Sequence, residues 1–118
     1  RSLSAGNKIP VYGDGSNVRD WLYVKDASRL IYRVLEAGKD NTLYNVTYNN
    51  EMTNLELVKS VTDALGLDFF ESIEFVKDRP GHDFRYSIDN SRLRGIGISP
   101  PIKFTTALQE TIKSWRSK

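Results

Sequence analysis

Two stretches with the periodicity of an amphipathic helix, residues 25–37 and 54–65, are each stopped by a glycine and separated by a short run rich in β-forming residues. That alternation confines the chain to the α/β class, because a helix apolar along one stripe and a strand apolar on one face must cover each other. In the first stretch Ala27, Leu30, Ile31, Val34 and Leu35 recur at i, i+3, i+4 spacing, and Gly38 follows as a C-cap. The spacing predicts that this face is core. In the second, Leu55, Val58, Val61, Thr62 and Leu65 form the inner stripe, with Thr53 or Asn54 near the N-cap and Gly66 after the end. Residues 42–47 read as a short β-rich run before an Asn49-Asn50 turn, and 72–76 and 85–88 as further strands. A last helix over 105–115 follows Pro100-Pro101, which fix an extended entry. No internal repeat or low-complexity linker interrupts this order, so one compact α/β unit over residues 1–118 is expected.

Composition narrows the function classes. A chain of 118 residues buries only about 65% of its unfolded surface, so its core is modest. No segment approaches the roughly 20 apolar residues of a membrane span, and no membrane partner is expected. A net charge of +2 with scattered basic residues gives no reason to expect nucleic acid. Lys113, Arg116 and Lys118 sit in the last turns of a helix, where cations complement its dipole. Without cysteine there is no disulfide or thiol chemistry, and with one histidine no zinc site is expected. That usage fits a reducing cytoplasm, which is the expected location. Asn45-Val46-Thr47 matches a glycosylation sequon, but it stands in a run that reads as a strand and carries little weight.

The residues that carry chemistry are concentrated in RPGHDFRYSID, residues 79–89. Arg79 and Arg85 offer planar forks that match phosphate oxygens, Gly81 lets a backbone approach closely, and Pro80 restricts the loop before binding. His82 adds a donor or acceptor near neutral pH. The alternative for this stretch is a solvated turn entering an edge strand. A second cluster, IPVYGDGSNVRDWLYVKD at residues 9–26, contains a Gly-rich YGDG turn and leads into the first helix.

Together these segments resemble the C-terminal part of the dTDP-glucose 4,6-dehydratase family, NAD-dependent nucleotide-sugar enzymes of the extended short-chain dehydrogenase/reductase superfamily. The resemblance also takes in YNV at 44–46 and TNLELV at 53–58, so it runs through most of the chain. Relatives that decarboxylate or epimerise UDP-sugars share the YGDG turn, but Arg19-Asp20-Trp21 and the intact RPGHD resemble the dehydratases more closely. The resemblance implies that Arg19 and Arg79 contact the substrate's phosphates, that Asn54 presents its amide and free helix N–H groups to the ligand, and that His82 helps hold the nucleotide end. It places Pro10, Val11 and Tyr12 against the pyrimidine base. Plainer roles exist for each: Arg19 could pair with Asp20 or Asp26, Asn54 could be a cap, and Tyr12 a packed ring.

Parts of the family pattern are missing. No G-x-x-G-x-x-G is present, so the Rossmann NAD-binding part is absent and NAD is expected to be bound by an upstream domain of the full-length relative, not by this chain. The six tyrosines are followed four positions on by Ser16, Ala27, Glu36, Tyr48, Met52 and Asn90, so none forms the superfamily's Tyr-x-x-x-Lys. No catalytic residue is assigned. Arg1 to Gly6 looks like the end of a helix whose beginning is absent. Arg94-Gly95-Ile96-Gly97-Ile98 stands where the family shows Leu-Gly-Trp, and Trp115 is followed by Arg116 where an aromatic is common. The expectation is the dTDP-sugar-binding part of a homodimeric dehydratase, inactive by itself; the alternatives are the equivalent part of a UDP-sugar decarboxylase or epimerase, or a stand-alone, non-catalytic nucleotide-sugar binder.

Overall fold

The computed structural model describes residues 2–98 and 103–116. After a 3-10 turn at Leu3–Ala5 the elements in chain order are β1 (Ile9–Tyr12), β2 (Val18–Asp20), α1 (Val24–Ala37), β3 (Glu51–Thr53), α2 (Asn54–Leu65), α3 (Phe69–Ser72), β4 (Ile73–Val76), α4 (Ser91–Gly95) and α5 (Phe104–Arg116). The α/β class holds, with helices packed on few and short strands. β1 pairs in parallel with β4, Ile9 opposite Ile73 and Tyr12 opposite Val76. β2 pairs antiparallel with β3, Val18 opposite Thr53 and Asp20 opposite Glu51.

α2 forms as its sequence dictates. Thr53 is the N-cap of a complete capping box: its hydroxyl accepts from the Glu56 backbone N–H, and the Glu56 carboxylate accepts from the Thr53 backbone N–H. Gly66 closes the other end at φ 68°, and Thr62 is fully buried on the inner stripe. α1 departs from expectation on one flank. Leu30 is buried and Val34 half-buried, but Ile31 and Leu35 are 54% and 80% exposed. The helix turns the Asp26, Leu30, Val34 line inward, against Leu93 and Ile98, and no described residue covers the adjacent line. Gly38 caps the helix with an extended φ of −72°, not a left-handed one. Glycine suits it because a Cβ there would stand 2.4 Å from the Val34 carbonyl oxygen.

Three expected strands change. Residues 42–47 join no ladder among the described residues; side chains hold the run instead, Asn90 donating to the Thr47 carbonyl and Asn45 to that of Asp89. Residues 85–88 contribute one bridge, Val18 with Arg85. The strand expected from residue 72 begins one residue later, because Asp68 caps the short helix α3 through the Glu71 N–H. Pro100-Pro101 and Lys118 lie outside the described residues. Nor is the unit compact: its radius of gyration is 16.6 Å, against about 13 to 14 Å for a globular chain of this length, and its extents are 49 × 37 × 19 Å. In this thin slab the buried apolar set is small, Val11, Leu30, Ile73, Leu93, Ile98 and Ala107 among the described residues. No described helix is long and apolar enough to cross a membrane.

Candidate functional site

The turn between β1 and β2 and the loop after β4 leave the same end of the parallel pair. In the first, Gly13 and Gly15 take φ of 61° and 74°, and the Asp14 carboxylate accepts from the Ser16 N–H and hydroxyl, which also lowers the Asp14 pKa. A Cβ on Gly15 would fall 2.6 Å from Leu55 and 2.7 Å from Val11, so only glycine lets this turn settle on α2. In the second, the His82 N–H donates to the Arg79 carbonyl across Pro80-Gly81, with Gly81 at φ 68°. Pro then Gly with positive φ is the signature of a type II turn. The glycine is required there by backbone angle, since nothing lies within 4 Å of its would-be Cβ.

β2 locks onto the far half of this loop. Val18 donates to the Phe84 carbonyl and accepts from the Tyr86 N–H. Asn17, 6% exposed, accepts from the Asn54 N–H and donates its amide to the Asp83 carbonyl, tying α2 to the loop. Arg19 follows on β2. Its guanidinium donates to the carbonyls of Val18 at 2.7 Å, Asp83 at 2.9 Å and Phe84 at 3.3 Å, and lies 4.3 Å from the Tyr86 ring centroid.

Arg19 and Arg79 converge on one atom. Arg19 Nη2 is 3.0 Å and Arg79 Nη2 2.8 Å from His82 Nε2, while His82 Nδ1 lies 2.7 Å from the Asp78 carboxylate. The Arg79 guanidinium also stands 5.1 Å from the Tyr12 ring centroid, and Tyr12 meets the imidazole edge-on at 6.4 Å. Neither guanidinium has a carboxylate partner among the described residues. The His82 hydrogen bond, helped by the Arg79 backbone N–H, holds the Asp78 carboxyl below the usual range. A cleft of about 250 Å³ lined by Arg19, Leu22, Val46, Tyr86 and Ile88 opens beside the cluster. Two donor-rich cations on an aromatic floor, fixed by carbonyls, suit an anion with several oxygens.

Of the residues singled out from sequence, Tyr12, Arg19, Arg79 and His82 meet here. Arg19 pairs with neither Asp20 nor Asp26: Asp20 accepts from the Asn50 N–H, and Asp26 lies 3.5 Å from Arg29. Pro10 is exposed on β1, whereas Val11, 3% exposed, turns its side chain to the core and its backbone to β4, so it can only support a ligand from behind. Asn54 is the first residue of α2, and no hydrogen bond links its side chain to the cluster. Its backbone N–H groups are not free as expected: those of Asn54, Leu55 and Glu56 bond to Asn17, Gly15 and Thr53. Asp78, Asn17 and Tyr86 escaped the sequence reading. The signal for Asp78 was its place four residues before the only histidine.

Residues 2–111 match the model of a family described as GDP-mannose 4,6 dehydratase. The chain is similar to the dTDP-glucose 4,6-dehydratase of Streptomyces niveus, 41% identical over 94% of this chain and 33% of that protein. Its fold resembles that of the dTDP-glucose 4,6-dehydratase DesIV from Streptomyces venezuelae with NAD and TDP bound, at TM-score 0.91 and 38% identity over 99% of this chain and 36% of that one. It also resembles a UDP-N-acetylglucosamine 4-epimerase from Methanobrevibacter ruminantium, at TM-score 0.88 and 30% identity over 98% of this chain and 37% of that one. The chain thus spans about a third of the length of the relatives it matches.

Proposed function

Because the chain belongs to the GDP-mannose 4,6 dehydratase family, we propose that it is the C-terminal, nucleotide-sugar-binding part of a dTDP-glucose 4,6-dehydratase. The observation that carries this reading is the convergence of Arg19 and Arg79 on one imidazole nitrogen, with no carboxylate in direct ion-pair contact with either guanidinium among the described residues. A nucleoside diphosphate sugar brings about two negative charges to such a site. Arg79, whose guanidinium is held only by His82, takes the diphosphate, Arg19 adds its charge from a guanidinium anchored by carbonyls, His82 stands between them, and Pro10 and Tyr12 flank the base with Val11 packed behind them. Asn54 is left with its side-chain amide, which makes no hydrogen bond among the described residues and is open to a ligand oxygen.

The residues described do not suit NAD. The glycine turn after β1 runs into a strand, not a helix N-terminus, and its Gly13 and Gly15 N–H groups are spent on Val76 and Tyr12. In the whole enzyme, NAD would be held by another domain and would supply hydride acceptance and return while glucose loses water across C5 and C6. This chain's part is to hold the nucleotide end so that the sugar is presented to that chemistry. We read the whole enzyme as a cytoplasmic homodimer whose partner is a dTDP-sugar, with neither nucleic acid nor membrane involved. A UDP-sugar epimerase or decarboxylase is the second reading, favoured by the likeness to the Methanobrevibacter ruminantium epimerase. The higher identity to dTDP-glucose dehydratases supports the first reading.

The test is calorimetry and an activity assay on the chain. It should bind dTDP, should not bind NAD, and should not convert dTDP-glucose to the 4-keto-6-deoxy sugar. Turnover by the purified chain would overturn the reading of it as a binding part alone, and absence of dTDP binding would remove the site.

A further inference from the structure

We infer that Asp78 is a positioning residue for this site: it fixes the His82 imidazole in the Nδ1–H tautomer, so that Nε2 is an acceptor which gathers Arg19 and Arg79 side by side. The inference rests on the reading of the cluster as a diphosphate site and adds to it a residue that touches no ligand. Guanidinium groups only donate, and both point an Nη2 at His82 Nε2, at 3.0 and 2.8 Å. Nε2 must therefore carry the lone pair and Nδ1 the proton. The Asp78 carboxylate, 2.7 Å from Nδ1, is the acceptor that makes this tautomer the stable one. Without it, Nε2 would be free to carry the proton, and both arginines would face an N–H in place of a lone pair.

Three further features show that the pair is built into the fold. The His82 side chain is 7% exposed, so water does not compete for the imidazole as it would on the surface. The Asp78 carboxylate also accepts from the Arg79 backbone N–H at 2.8 Å, which anchors it to the turn it organises. Gly13, at φ 61°, would carry a Cβ only 3.2 Å from the Asp78 carboxylate oxygen, so the absence of a side chain in the Gly-rich turn leaves room for that carboxylate. Asp78 thus acts on both arginines through one ring. The arrangement also supplies one negative charge near two guanidiniums that would otherwise repel each other before a ligand arrives.

His82 is the only histidine, so its ring nitrogens are read without ambiguity by nitrogen-15 NMR of the whole chain. At neutral pH the wild type should show a pyrrole-type Nδ1 and a pyridine-type Nε2, the reverse of the tautomer that free histidine prefers. Asp78→Ala should shift the ring toward the Nε2–H form and weaken dTDP binding about tenfold, the scale on which outer partners of binding groups act. Asp78→Asn, which keeps an acceptor oxygen, should retain the Nδ1–H form and most of the affinity. Amide spectra establish that each variant is folded. An Nε2–H ring in a wild type that still binds dTDP would overturn the role of Asp78 and leave the site intact. So would Asp78→Ala binding dTDP as tightly as wild type. An Nδ1–H ring in a wild type that does not bind dTDP would overturn the diphosphate reading, and the positioning role with it.

Discussion

Arg85 and Glu51 form a two-pronged ion pair beside the β2–β3 sheet, Arg85 Nε and Nη2 meeting the Glu51 carboxylate oxygens at 3.0, 3.0 and 2.8 Å. The bonds to Ser87 and Arg85 hold the Glu51 carboxyl below its usual range. The fork of Arg85 is therefore occupied, whereas that of Arg79, six positions earlier in the same loop, meets only the His82 ring and remains available to an anion. Arg79→Ala should weaken dTDP binding by about 2 to 5 kcal/mol with little effect on folding. Arg85→Ala should cost binding far less. Calorimetry with dTDP on both variants checks the order, and equal losses would show that occupancy of the fork does not decide which arginine binds.

Base choice should be modest. A wall beside the base tells thymine from uracil by one methyl group, worth roughly 1 to 3 kcal/mol, while the phosphates dominate affinity for both. We expect dTDP to compete about tenfold better than UDP, and both to exceed GDP. Competition against a labelled dTDP-sugar measures it. UDP binding as tightly as dTDP would favour the epimerase or decarboxylase reading.

The two glycines of the site loops should respond differently to a methyl group. Gly15→Ala adds backbone strain at φ 74° to a collision with Leu55 and Val11, and should destabilise the chain by about 2 to 4 kcal/mol. Gly81→Ala meets open space and should cost only the strain, about 1 kcal/mol. Urea unfolding of the pair separates crowding from backbone angle.

Tyr48 carries a hydroxyl that is buried without a hydrogen-bond partner among the described residues, and burial, with the Asp26 carboxylate nearby, pushes its pKa up to about 12. The folded state holds this proton more tightly than the unfolded state. Its contribution to stability is complete below the ordinary phenol value near 10 and is lost as pH rises from there through about 12. Tyr48→Phe should remove that alkaline loss, and at neutral pH should lie within about 1 kcal/mol of wild type on the stabilising side. Ultraviolet titration of tyrosinate and urea unfolding across pH are the measurements.

The sequence was legible where one residue type settles one local question. Thr53 with Glu56 starts α2, Gly66 stops it, and Pro80-Gly81 makes a turn whatever surrounds them. It was not legible where structure depends on a neighbour. Ile31 belongs to an apolar stripe in sequence and is exposed because no described element covers it. Residues 42–47 have the composition of a strand but no described strand beside them. β2 and β3 are three residues each, too short for an alternating pattern to register, yet they set Arg19. Within the site, the arginines and the histidine could be named in advance because their donors suit phosphate. Asp78 could not, since its role appears only when the loop folds back and puts the carboxylate on Nδ1.

The parallel pair has a consequence for how copies of this chain meet one another. Gly13 donates to Val76, so by alternation Ile9, Val11 and Gly13 address β4, while position 10 faces the outer edge, which no described strand covers. At that position stands Pro10, which has no N–H to give. Outward N–H groups on an exposed edge would otherwise be a template on which a second molecule's strand could add. The imino acid removes one such group, so the edge that leads into the ligand loops is guarded against self-association.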